Sequence, residues 1–187
     1  MLMAAQVLCN GRSLAVVDGC NRFDVHAITR YARERHLNPD ALLQKIFVSR
    51  GFTCYQMEAA VTNKLPAFLT QIHSKAGMIF GLLDTFYDEQ APLREVQHIL
   101  LRVLLALQHM KEQNFSLLLV CTEWNVLPKE RNMLFDKLKG AMDNVYHLTL
   151  HNEKLQLFFE QYKENIHSKG RLNYGTNSTD IHQYYRQ

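Results

Sequence analysis

The sequence predicts an α/β fold, a mainly parallel twisted sheet covered by helices on both faces and closed by an antiparallel hairpin. Three observations carry the prediction. Short apolar runs alternate with longer segments whose apolar residues recur every three or four positions, the strand–helix alternation that builds parallel sheets. The apolar runs are continuous rather than alternating, as expected of strands buried on both faces. Several of them end in polar residues, which places side chains at the edge where open α/β sheets bind ligands.

Leu14 to Asp18 is a short apolar run closed by a turn at Gly19, which predicts the first strand. Asp24 is placed to cap a helix through Ile28, Tyr31 and Ala32, with Arg30, Arg33 and Arg35 on or near its outer face. Asn38-Pro39-Asp40 sets Pro at the start of a short helix. Ile46 to Val48 is the second strand, ending at Ser49-Arg50-Gly51. From Tyr55 to His73, Met57, Val61, Leu65, Phe68, Leu69 and Ile72 keep a helical spacing, with Pro66 positioned to kink the helix. Met78 to Leu83 is the third strand, with Asp84 and Thr85 at its carboxyl end. Leu93 to Gln113 is a long helix with Val96, Leu100, Val103, Leu104 and Leu107 on one face. Ser116 to Cys121 is the fourth strand, ending at Thr122-Glu123-Trp124. Lys129 to Lys139 reads as a charged loop or exposed helix, and Val145 to Leu150 with Leu155 to Phe159 as an antiparallel pair turning near Asn152.

The 187 residues suit one α/β domain, drawn at 1–166, followed by a polar tail at 167–187. A hydrophobic content of 47% and a charged content of 21% are those of an ordinary globular protein. A formal charge of +3 permits a local basic patch without requiring a nucleic-acid partner. Cys9, Cys20, Cys54 and Cys121 have no C-x-x-C spacing and lie in apolar segments, which argues for free thiols in a reducing compartment rather than a zinc site. There is no basic segment leading into an apolar one at the start, and no apolar run approaches membrane-spanning length. The expectation is an intracellular protein, in cytoplasm or nucleus, with no membrane partner.

The strand ends collect Asp18, Ser49-Arg50, Asp84-Thr85 with Asp88 nearby, and Thr122-Glu123. Each alone fits a cap or a turn; together they point to a present or former ligand site. One chemistry open to Asp18, Asp24, Asp84, Asp88 and Glu123 is a carboxylate cluster for magnesium or manganese, as in a two-metal nuclease or phosphohydrolase.

From Leu14 to about Leu157, the order and spacing of several blocks resemble the core of the RecA/RadA recombinase family. Val17-Asp18-Gly19-Cys20-Asn21-Arg22-Phe23 is similar to that family's V-D-T-E-G-T-F strand and turn. Asn38-Pro39-Asp40, Ile46 to Phe52 and Gln56 resemble the block holding its A-R-A-F-like strand end. Gly77 to Thr85 resembles the Walker B strand, whose Asp holds magnesium, and Leu117 to Glu123 the strand ending in the T-N-Q sensor. The hairpin from Val145 to Phe159 resembles the family's closing strands.

The resemblance implies a RecA-like three-layer fold and a degenerate nucleotide site at Asp18, Cys20, Asp84, Thr85 and Glu123. The family's water-orienting Glu falls on Cys20, and a thiol does not serve as a carboxylate base near neutral pH. Glu123 in the sensor position would repel a γ-phosphate. No Gly-x-x-x-x-Gly-Lys-Ser/Thr occurs, and the chain starts roughly where that loop would end. Since phosphoryl transfer rests on positioning and charge neutralisation, losing one such donor typically costs about a hundredfold to a thousandfold in rate. The expectation is therefore a non-catalytic accessory or regulatory protein in DNA recombination or repair, with no required cofactor and at most weak use of Mg2+, with or without ATP. Its partners would be a RecA-like ATPase subunit, a second copy, or DNA. Alternatives are the metal-dependent nuclease and an ATPase whose phosphate loop comes from upstream or from a partner. Arg50, Lys129, Arg131, Lys169 and Arg171 are the candidate nucleic-acid contacts, the last two in a basic, Tyr-containing tail.

Overall fold

The computed structural model describes residues 1–151 and 154–160. The chain divides into two compact units, Met1–Phe135 and Asp136–Gln187. In the first, four strands, β1 (Leu14–Asp18), β2 (Ile46–Arg50), β3 (Ala76–Phe80) and β4 (Ser116–Val120), form a wholly parallel sheet in the order β2-β1-β3-β4. The central pair is the most apolar: every residue of β1 is buried, as are Gly77, Met78, Ile79 and Phe80 of β3.

Strand alternation sends successive side chains to opposite faces. Leu14, Val16, Met78 and Phe80 point to one face, where they share a core with Ala4 and Leu8 of α1 (Leu2–Cys9), Ile28 and Ala32 of α2 (Val25–Glu34), and Leu42 of α3 (Pro39–Leu43). The predicted cap at Asp24 forms, and Asn38 caps the helix that Pro39 opens. Asp24 accepts the His26 N–H at 2.8 Å and Asn38 accepts that of Asp40 at 2.9 Å. The other face carries α4 (Cys54–Ala59), α5 (Leu65–Gln71) and α6 (Leu93–Glu112). A Cβ on Gly77 would lie 3.0 Å from Leu117 and 3.4 Å from Leu65, so β3 and α5 are in close contact there. The long helix α6 buries Val96, Ile99, Leu100, Val103, Leu107 and Met110.

Two predicted boundaries shift for identifiable reasons. The helix expected from Tyr55 to His73 is two α-segments joined by a π turn, Ala60–Lys64. Pro66 lies just beyond that turn, and without an N–H it cannot continue a regular α ladder. The third strand stops at Phe80 instead of Leu83, because Gly81 turns the chain with φ +59°. Asp84 consequently stands in a turn beyond the strand, its N–H donating to the Gly81 carbonyl at 3.2 Å. The fourth strand ends at Val120, one residue early. The charged stretch from Lys129 is a 3₁₀ turn, Lys129–Asn132, leading into α7 (Met133–Ala141).

The second unit contains the expected antiparallel hairpin, β5 (Val145–His151) with β6 (Lys154–Glu160). Tyr146 and Phe159 face each other across it with ring centroids 4.9 Å apart. Glu160 accepts hydrogen bonds from His147 and from Lys139, the latter at 2.8 Å, and the two together hold its carboxyl below the ordinary value. Among the described residues, no helix is long and apolar enough to cross a membrane.

The two sides of α6 give a direct check on this architecture. Ile99 is fully buried and Leu105 is 57% exposed. Ile99→Ala should lower unfolding free energy by about 2–5 kcal/mol, whereas Leu105→Ala should stay within about 0.5 kcal/mol of the parent in urea denaturation.

Candidate functional site

The strand order fixes where a ligand site belongs. From β1 the chain crosses to β2 on one side and then returns to β3 on the other, so the topological switch point lies between the carboxyl ends of β1 and β3. Asp18 ends β1 there, and it is 1% exposed. Its Oδ1 accepts the N–H groups of Cys20 and Arg22, each at 3.2 Å, and its Oδ2 accepts that of Phe23 at 3.1 Å. The Cys20 thiol also donates to Oδ1 at 3.6 Å. A buried carboxylate requires such donors. This one spends both oxygens folding the loop that follows its own strand.

The crevice beside it is filled. A Cβ on Gly19 would come within 2.7 Å of the Gly81 carbonyl oxygen. One on Gly81 would meet Cys20 Cβ at 2.4 Å, Cys20 Sγ at 2.6 Å and Asp84 Oδ2 at 2.9 Å. The β1 and β3 turns therefore touch, with the Cys20 side chain and the Asp84 carboxylate packed around Gly81. Burial, reinforced by Asp18 and Asp84, pushes the Cys20 thiol up to about 11. Burial also pushes Cys121, the residue after β4, up to about 11; Asp84 and Cys20 add to the shift, and the N–H groups of Leu82 and Leu83 oppose it. Both thiols stay protonated at neutral pH, so neither acts as a base or as a ready nucleophile.

At the end of β4, Arg22 donates to Thr122 Oγ1 at 2.8 Å, and its guanidinium lies 5.9 Å from the centre of the Trp124 ring. Trp124 is 46% exposed, and Glu123 beside it is exposed. Arg50, at the end of β2, is exposed, as is Lys129.

Arg131 does not fit the nucleic-acid contact expected of it. It is 3% exposed, and its two terminal nitrogens donate to the carbonyls of Phe86 at 2.7 Å and Ala91 at 2.5 Å. It fastens the β3–α6 loop from beneath instead of facing a phosphate. That loop and the start of α4 form a half-open pocket of about 240 Å³ lined by Thr53, Cys54, Tyr55, Thr85, Asp88, Gln90 and Ala91.

The structure thus brings Asp18, Cys20 and Asp84 together at the switch point. Thr85 is buried and Asp88 is exposed, and both line the separate pocket. Asp24 is engaged as a helix cap. Among the described residues, no three His, Cys, Asp or Glu side chains are grouped so that they could hold a metal ion. Lys169 and Arg171 lie outside the described residues. Sequence reading missed the roles of Arg22 and Arg131, because basic residues between regular elements look alike in one dimension whether exposed or buried. It also missed the contact between Gly19 and Gly81, whose signal was two glycines one residue past apolar strands.

The chain matches no protein-family model, and no curated protein matches it.

Two measurements test this geometry. Asp18→Asn keeps the shape but presents an N–H₂ where backbone donors require an acceptor, and it should cost about 2–4 kcal/mol in denaturant unfolding. Cys20 should alkylate roughly a hundredfold more slowly at pH 7 than an ordinary thiol, its rate rising with pH toward 11; mass-spectrometric footprinting reads this residue by residue.

Proposed function

We propose that this chain is a non-catalytic RecA-like accessory or regulatory protein of DNA recombination or repair, acting by binding a RecA-like partner, DNA, or both. The observation that carries the reading is the filled switch-point crevice. The place where an α/β sheet of this order would receive a nucleotide is occupied by Cys20 packed on Gly81, and Asp18 is committed to three loop N–H groups. Asp84 keeps its place in the turn without the cationic loop and water-orienting carboxylate that would make it part of a phosphoryl-transfer site. Kinship to the recombinases rests on the ordered blocks from Val17 to Phe159. The binding role follows from a fold retained without its chemistry.

Calorimetric titration with Mg-ATP, and separately with Mn2+, should give no saturable heat. Co-sedimentation with a RecA-like recombinase on single-stranded DNA should retain the chain. ATP turnover by the isolated chain would overturn the non-catalytic reading. Mn2+-dependent DNA cleavage lost in Asp84→Asn would replace it with the nuclease, and failure to associate with both recombinase and DNA would remove the accessory role.

A further inference from the structure

The parallel sheet has two edges, β2 and β4, and they are built differently. A strand edge presents unpaired N–H and C=O groups, and soluble proteins blunt it with charge, proline, a bulge or a cover. β2 ends in Arg50, which is exposed. β4 is Ser116-Leu117-Leu118-Leu119-Val120, with no charge, no proline and an unbroken register against β3. Its three leucines are only partly buried, and Val120 is 42% exposed.

The phase of the β4 backbone is fixed. The Ser116 N–H donates to the Lys75 carbonyl at 2.7 Å, and the Val120 carbonyl accepts the Gly81 N–H at 2.9 Å. Backbone groups alternate sides along a strand, so Ser116, Leu118 and Val120 face β3, while Leu117 and Leu119 aim their N–H and C=O groups away from the sheet. Among the described residues, β4 pairs with β3 alone.

This edge is self-complementary. Two copies of β4, set antiparallel about a two-fold axis at Leu118, bring Leu117 of each opposite Leu119 of the other. Those are the residues whose backbone groups aim outward, so each facing pair exchanges both of its N–H···O bonds. Opposite residues share a face, and the leucines of the two copies then pack side by side. The ends match in charge. Continued past the strand, the same register brings Glu123, exposed and with no ion-pair partner among the described residues, opposite Gln113 of the second copy. Lys75, also exposed, stands at that end, donating to the Gln113 carbonyl at 3.2 Å and lying 4.4 Å from the centre of the Phe115 ring.

We propose that β4 joins the β4 edge of a second copy of this chain, antiparallel, so that two four-stranded sheets form one continuous sheet across a two-fold axis. A foreign strand would satisfy the same backbone groups. A second copy also satisfies the leucine row and sets Glu123 beside Lys75 at both ends. The inference rests on the sheet alone and is independent of the recombinase-like reading.

The test is sedimentation velocity of the full chain over a roughly hundredfold range of concentration, with amide hydrogen exchange read by NMR at the two extremes. The expected result is a monomer–dimer equilibrium in which the Leu117 and Leu119 amides gain about tenfold or more in protection as the dimer fills, while those of Leu118 and Val120 are protected throughout. Glu123→Lys sets like charges at both ends and should weaken the dimer severalfold; because Glu123 is exposed, the dilute monomer should keep its melting temperature. Adding Lys75→Glu to that variant should restore the dimer. A monomer at every concentration would leave the edge to a foreign strand, and protection of Leu117 and Leu119 that ignores concentration would assign it to a segment of the same chain; either overturns the proposal. So does a dimer in which these two amides stay unprotected, or one that the double variant fails to restore.

Discussion

The carboxylate of Asp18 is the constraint around which the carboxyl edge is built. It ends the strand that pairs on both sides, with β2 and with β3. Buried charge is tolerable only when its lone pairs are filled, and three backbone N–H groups of the next five residues fill them. That closure makes the chain after β1 curl tightly. The curl carries Cys20 onto Gly81, and the contact requires β3 to end in a residue free to take a positive φ. It also throws Arg22 outward toward Thr122 and Trp124, tying the loop after β1 to the end of β4 across the intervening strand.

The continuity of short apolar runs specified the sheet well. β1, β2, β4 and α6 fall within a few residues of their sequence boundaries: β1 is buried throughout, the edge strands β2 and β4 are only partly buried but keep short apolar runs, and α6 keeps one apolar face. The cap at Asp24 was equally legible, since capping is local. What escaped was set by tertiary contact. The run from Met78 to Leu83 is uniformly apolar, and only the turn at Gly81 tells strand from buried loop. Arg131 is a charged residue in a charged stretch, and its burial depends on two carbonyls some forty residues earlier.

The candidate site divides along the same line. Sequence placed Asp18, Cys20 and Asp84 at one edge because strand ends in a parallel sheet must converge. It could not say whether the space between them was open. That depends on how closely two turns approach, and the decisive atoms belong to glycines. Conversely, the pocket at Thr53–Tyr55 draws on two segments separated by about thirty residues, neither carrying a recognisable motif.

The π turn between α4 and α5 has a consequence for the phase of that helix. Met57, Val61, Leu65 and Leu69 are all fully buried and are spaced by four residues throughout. On a regular α-helix each such step rotates the next side chain about 40° around the axis, and three steps would carry the stripe well off the sheet. A turn that closes over five residues instead of four takes up much of that rotation and keeps the stripe facing one way. The irregularity beside Pro66 therefore works like a vernier, matching a four-residue sequence period to a helix whose natural period is shorter.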